Sequence, residues 1–125
     1  MEIKRSGEDY LEMVLMLTQK KGYARSVDVA AALNVTKPSV SRAVKRLREN
    51  GYLIMEEDGN LRLTESGLEI ADRIYQRHQV LTRCLIAMGV EETVAREDAC
   101  KLEHDLSDES FAALRRYADR LPREE

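Results

Sequence analysis

Residues 26–51 read SVDVAAALNVTKPSVSRAVKRLRENG, and this stretch decides the fold. Ser26 is a good N-cap, with Asp28 in the turn that follows, so a short helix is expected over Val27–Leu33. Asn34-Val35 leaves room only for a tight turn. Thr36 then caps a second helix, with Pro38 in its first turn, where a missing N–H costs nothing. That helix carries Val40, Val44 and Leu47 on one face and stops at Asn50-Gly51. The small residues Ala30-Ala31-Ala32 suit close packing between the two helices. Residues 37–48 hold five basic side chains and no acid, so the outward face is cationic.

The flanks complete a known arrangement. After the pair come Tyr52–Glu56 and Leu61–Leu63, two short apolar runs around Glu57-Asp58-Gly59-Asn60, whose Asp-Gly is a strong hairpin signal. Before the pair, Leu11, Val14, Leu15 and Thr18 follow helical spacing from about Gly7 to Lys21, and Gly22 ends that helix. Three helices and a hairpin in this order make a winged helix-turn-helix. Downstream, Thr64 caps a long helix, about Glu65–Met88, ended by Gly89. A further helix is expected over Glu91–Leu106. Ser107 caps a last one, with Asp108 and Glu109 in its first turn and Arg115, Arg116 and Arg120 near its end. The fold class is mainly α: a winged helix-turn-helix over residues 1–72, then an α-helical domain over 73–125.

Charge divides the chain in the same sense. Residues 1–88 hold 14 basic and 12 acidic side chains, whereas residues 89–125 hold 6 basic and 11 acidic. The first part can meet a polyanion and the last cannot. No apolar run is long enough to span a bilayer, and the opening Met-Glu-Ile-Lys-Arg-Ser-Gly lacks the apolar core of a signal peptide. A cytoplasmic protein without membrane contact is expected. Its two cysteines are too few for a disulfide scaffold. Cys84, in the apolar stretch Leu81–Met88, reads as a buried residue.

The cationic helix, Lys37–Glu49, points to double-stranded DNA. Its early positions Lys37, Ser39, Ser41 and Arg42, next to the capping Thr36, are placed to reach base edges in a major groove. Lys45, Arg46 and Arg48 lie later and suit phosphates, which set register without reading sequence. Asn60, between Gly59 and Arg62, would touch the backbone or minor groove from the wing.

A second chemistry stands in the last third. Cys100, Glu103 and His104 are spaced i, i+3 and i+4, so one helical face would carry them together. Thiol, carboxylate and imidazole are strong ligands for divalent transition metals. Asp9 and Glu12 stand i, i+3 on the first helix, and His78 is on the long one. The chain has only two histidines, and both fall in this set. Singly, each has an ordinary reading: a core cysteine, a half-buried histidine, a solvated acidic pair at a helix start. Jointly they describe a split metal site.

The same residues carry a resemblance. The segment Arg96-Glu97-Asp98-Ala99-Cys100-Lys101-Leu102-Glu103-His104 is similar to the ligand helix of the diphtheria toxin repressor and manganese transport regulator family of metal-dependent repressors. Glu8-Asp9-Tyr10-Leu11-Glu12, Lys21-Gly22-Tyr23-Ala24-Arg25 and Tyr75-Gln76-Arg77-His78 resemble it too, in the right order around the winged helix. Almost the whole chain is covered. The resemblance implies that Asp9, Glu12, His78, Glu103 and His104 match the ligands of the manganese branch. Cys100 departs from that branch, which has glutamate there, and matches the iron branch. The iron branch has methionine at the Asp9 position, and its accessory site would need ligands where this chain has Thr82 and Arg96. A thiolate lacks the two-oxygen bridge of a glutamate, so a single ion is expected in place of a pair.

The resemblance also implies a mechanism. A divalent ion, Mn²⁺ or Fe²⁺ (with Co²⁺, Zn²⁺ or Cd²⁺ as possible substitutes in vitro), would act as co-repressor for a homodimer on a palindromic operator. Val94, Leu102, Leu106, Phe111, Leu114 and Tyr117 offer the dimer surface. Two rival readings are weaker. A winged-helix regulator of the MarR type, sensing an organic ligand, would want an aromatic-lined pocket that five Tyr and one Phe scarcely supply. A small metallohydrolase would need an open metal position and a free base in a cleft. The chain is expected not to be an enzyme.

Overall fold

The computed structural model describes residues 5–122. Residues 1–4 and 123–125, the outer ends of the two expected domains, lie outside the described residues. The order is α1 (Arg5–Lys21), α2 (Ser26–Leu33), α3 (Lys37–Glu49), β1 (Leu53–Met55), β2 (Leu61–Leu63), α4 (Glu65–Ala87), α5 (Glu92–Leu102) and α6 (Asp108–Asp119). The chain forms two compact units that divide between Arg73 and Ile74, inside α4.

In the first unit the apolar rows read from the sequence are the buried ones. Leu11, Val14 and Leu15 of α1, Val29 and Ala30 of α2, and Val40, Val44 and Leu47 of α3 are all buried. Of the three consecutive alanines only Ala30 is inside; Ala31 and Ala32 are exposed. Thr18 is also exposed, and its hydroxyl donates to Val14 O (2.8 Å). Thr36 caps α3 as expected, its Oγ1 accepting from Ser39 N (3.2 Å). The cap of α2 differs. Arg25, not Ser26, is the N-cap residue, and the Asp28 carboxylate accepts from Arg25 N (3.1 Å). Asn34 takes the left-handed conformation (φ 55°) that lets α2 turn sharply into α3.

β1 and β2 pair antiparallel, Leu53 with Leu63 and Met55 with Leu61. Glu56 N donates to Asn60 O (2.9 Å), which leaves Glu57, Asp58 and Gly59 as the connection. Gly59 takes positive φ (88°) there. The wing has a third edge that the sequence did not announce: Leu61 N donates to Ala24 O at 2.7 Å. Thr64 starts α4, its hydroxyl accepting from Gly67 N and donating to Gly51 O.

In the second unit the C-terminal part of α4 packs with α5 and α6. Ile74, Leu81 and Cys84 are buried on α4, Ala95 and Ala99 on α5, Ala118 on α6. Cys84 is buried, as expected, and its Sγ donates to Leu114 O (3.7 Å). The fifth helix is shorter than the sequence suggests. It ends at Leu102, and residues 103–105 form a turn.

Candidate functional site

That early ending changes how the candidate ligands meet. Glu103 keeps right-handed helical backbone as the C-cap (φ −60°, ψ −27°), its N–H bonded to Ala99 O (3.0 Å). Cys100 and Glu103 therefore still share a face, whereas His104 stands past the helix in the turn. A single face for Cys100, Glu103 and His104 is thus corrected to a face for two and a turn position for the third.

The α4 helix brings the imidazole to this face. His78 Nδ1 lies 3.0 Å from Glu103 Oε2 and 3.7 Å from Cys100 Sγ. One donor atom from each of His78, Cys100 and Glu103 lies within 4.8 Å of the other two. Glu103 is fully buried, His78 half-buried and Cys100 exposed at the rim. The second oxygen of Glu103, Oε1, is 3.5 Å from His104 Nε2 and has no hydrogen-bond partner. So one carboxylate faces both imidazoles of the chain, one with each oxygen. The hydrogen bonds to Cys100 and then to Glu103 outweigh burial and push the His78 pKa up to about 10.

Asp9 and Glu12 stand on α1 in the first unit, Glu12 buried and Asp9 half-buried. Thr82 and Arg96 line a cleft beside His78 in the second unit. Arg96 is paired with Glu92 (2.8 Å), and a guanidinium has no lone pair for a metal. An accessory ion therefore has no donor from Arg96.

Sequence reasoning missed Arg77. Ile74, Arg77, Leu81 and Cys84 form one helical row, and Arg77 is as buried as its apolar neighbours, at 2 % exposure. The signal was available: a charge in the middle of an apolar stripe is either paired or costly.

On α3, Lys37, Ser41, Arg42, Lys45, Arg46 and Arg48 are exposed, with Ser39 half-buried. Arg42, Lys45 and Arg46 lie opposite the buried Val40, Val44 and Leu47, so the helix presents a cationic ridge. Thr36 is exposed beside them. Asn60 is placed differently from the expectation. Its Oδ1 accepts from Ala24 N (2.8 Å) and its Nδ2 donates to Glu56 (2.7 Å). Both ends of the amide fasten the wing, so in this structure Asn60 serves to hold the hairpin. Arg62, in β2, is the exposed cation of the wing.

Residues 2–61 match the family model described as iron dependent repressor, N-terminal DNA binding domain. Residues 64–124 match iron dependent repressor, metal binding and dimerisation domain. The chain is 40% identical over 114 residues to the HTH-type transcriptional regulator MntR of Lysinibacillus sphaericus, covering 91% of this chain and 80% of that one. It is 42% identical over 102 residues to the MntR of Bacillus pumilus, covering 82% and 71%. Among solved structures it is similar to T. acidophilum IdeR, with a TM-score of 0.77 and 28% identity over 94% of this chain. The match covers 55% of that structure, so the chain spans about half of its length.

Proposed function

The chain belongs to the iron-dependent repressor family, with both its DNA-binding and its metal-binding and dimerisation domains, and from its donor set we propose that Mn²⁺ or Fe²⁺ is the co-repressor that places the homodimer on a palindromic operator. The observation that carries this reading is the convergence of His78, Cys100 and Glu103, with Glu103 Oε1 buried beside His104 and lacking a hydrogen-bond partner. A buried carboxylate oxygen without a donor is a costly arrangement unless a cation completes it. The residues therefore fit a divalent ion.

Four ligands come from the second domain: His78, Cys100, Glu103 and His104. Asp9 and Glu12 complete the set by their positions in the family pattern. Carboxylate oxygens are hard donors that suit Mn²⁺ and accept Fe²⁺, whereas a thiolate favours Fe²⁺ and its later neighbours. When bound, a divalent ion would supply a positive charge facing the His78, Cys100 and Glu103 donors. In the metal-free fold Glu103 holds one imidazole at each oxygen, so both would be near the ion. Cys100, at the rim, is the ligand on which metal choice turns. One ion per subunit is the reading that this thiolate supports.

In the family pattern, ligands on the helix before the reading pair and in the second domain would give a metal a hold on both. Fixing the two recognition helices of a dimer at the spacing of successive major grooves is how the ion raises DNA affinity. Thr36, Lys37, Ser39, Ser41 and Arg42 are the proposed base-side contacts, Lys45 and Arg46 the phosphate contacts. Its curated relatives are transcriptional regulators, and no catalytic role is proposed here. No helix among the described residues is long and apolar enough to cross a membrane, and a cytoplasmic site of action fits an operator-binding protein.

The experiment is fluorescence anisotropy of a labelled operator duplex at constant ionic strength. Affinity should rise by about 5- to 150-fold with Mn²⁺ or Fe²⁺ over chelator, the usual span of allosteric coupling. Equal affinity in both would overturn the co-repressor reading.

A further inference from the structure

Arg77, at 2% exposure, is a buried charge that the metal reading leaves unused. Its Nη1 donates to two main-chain carbonyls, Glu103 O (3.1 Å) and Leu106 O (2.6 Å). Its Nη2 donates to Asp108 Oδ1 (2.6 Å), and its guanidinium lies 5.2 Å from the centre of the Phe111 ring. Arg77 and His78 are consecutive on α4, and they hold opposite ends of one residue. His78 meets the Glu103 carboxylate; Arg77 meets the Glu103 carbonyl.

The direction of that second grip is informative. A guanidinium beside a buried carboxylate ordinarily takes it in a bidentate pair. Here one arm goes to two carbonyls and the other to the exposed Asp108, with no hydrogen bond to the Glu103 carboxylate. The residues from Glu103 to Leu106 include His104, so one side chain clamps the whole turn that carries two metal ligands. Through Asp108 and Phe111 the same guanidinium holds the first turn of α6.

We propose that Arg77 is a positioning residue for the metal site: it fixes the 103–106 turn against α4 and joins that turn to α6, without neutralising the carboxylate the ion needs. This rests on the metal reading above. Asp108 is 93% exposed, so the ionic part of the clamp is open to water and the carbonyl grip is its firmer part.

The test uses the full chain with Arg77→Lys, which keeps the charge and loses the fork, and Asp108→Asn, which removes only the exposed ion pair. Amide exchange of Glu103 and Asp105, bonded to Ala99 O and Leu102 O, is followed in metal-free protein. Mn²⁺ affinity is measured by titration calorimetry. The expected result for Arg77→Lys is faster exchange at these two amides and a Kd raised about tenfold, the lower end for groups that orient metal ligands. Asp108→Asn should show the same pattern, more weakly. Unchanged exchange at the turn in both variants would overturn the clamp. Faster exchange with unaltered Mn²⁺ affinity would leave Arg77 a structural residue and overturn its positioning role. Should wild-type protein bind no Mn²⁺ or Fe²⁺, the metal reading itself fails, and the exchange measurement still decides whether the clamp exists.

Discussion

Cys100 and Cys84 are the same side chain in two different places. Cys84 is buried at 2% exposure, and burial raises its thiol pKa, so it should react slowly. Cys100 is exposed at the rim of the donor cluster. Iodoacetamide should therefore modify Cys100 first, and saturating Mn²⁺ or Fe²⁺ should slow that reaction. Mass spectrometry reads both sites; a Cys100 rate untouched by metal would remove it from the ligand set. His78 carries the pH dependence. Its pKa in the fold, about 10, lies above the ordinary 6.5. Its stabilisation of the metal-free protein is thus fully present below about pH 6.5 and lost as pH rises towards 10. Melting curves of metal-free protein at pH 6, 8 and 10 should show that loss, and His78→Gln should flatten it. Metal must expel the same proton, so binding tightens over the same window. At this scale the proximity of Cys100 and Glu103 was legible from spacing, because helical periodicity places i and i+3 together wherever the helix lies. Arg77 and Asn60 were not, because their roles depend on backbone atoms that come near only in the fold.

At the scale of elements, most signals that act within a few residues were read correctly, the cap of α2 excepted, and signals that need distant partners were not. The Thr36 cap and the buried row of α3 are local, and the structure holds both. The end of α5 was misplaced. Nothing in Glu103-His104-Asp105 breaks a helix by itself; the buried Arg77 takes the carbonyls of Glu103 and Leu106 as the chain turns. The approach of α4 to the wing was equally invisible. A Cβ built on Gly67 would collide with Tyr52 O, a backbone atom that cannot swing aside. Gly67→Ala should cost about 1–3 kcal/mol, the usual range for overpacking, read by urea denaturation against the exposed neighbour Ser66→Ala. A neutral Gly67→Ala would contradict this packing. The cationic ridge of α3 makes a separable forecast. Lys45→Ala should lower the slope of log K against log salt by about 0.9, one phosphate contact. Arg42→Ala should instead cost about 1–3 kcal/mol on the operator and little on random DNA. Equal losses on both sequences would move Arg42 to the phosphates.

For the whole molecule, division of charge follows division of labour. The basic residues gather on the reading helix, and the acidic excess lies in residues 89–125, where the dimerisation domain has no need to meet phosphate. Val94, Leu102 and Tyr117 are the exposed apolar side chains of that region, suited to a partner subunit. Both domains were legible in the sequence because each has its own spacing of apolar residues. The proposed metal site was legible only as a list of residues. We propose that His78, Cys100 and Glu103 converge on one ion, with His104 beside the other oxygen of Glu103. Anomalous scattering from crystals grown with Mn²⁺, and separately with Fe²⁺, tests this most directly. The account predicts one peak per subunit within bonding distance of donor atoms from His78, Cys100 and Glu103. A peak bound elsewhere, or no peak at these three residues with either metal, would contradict it.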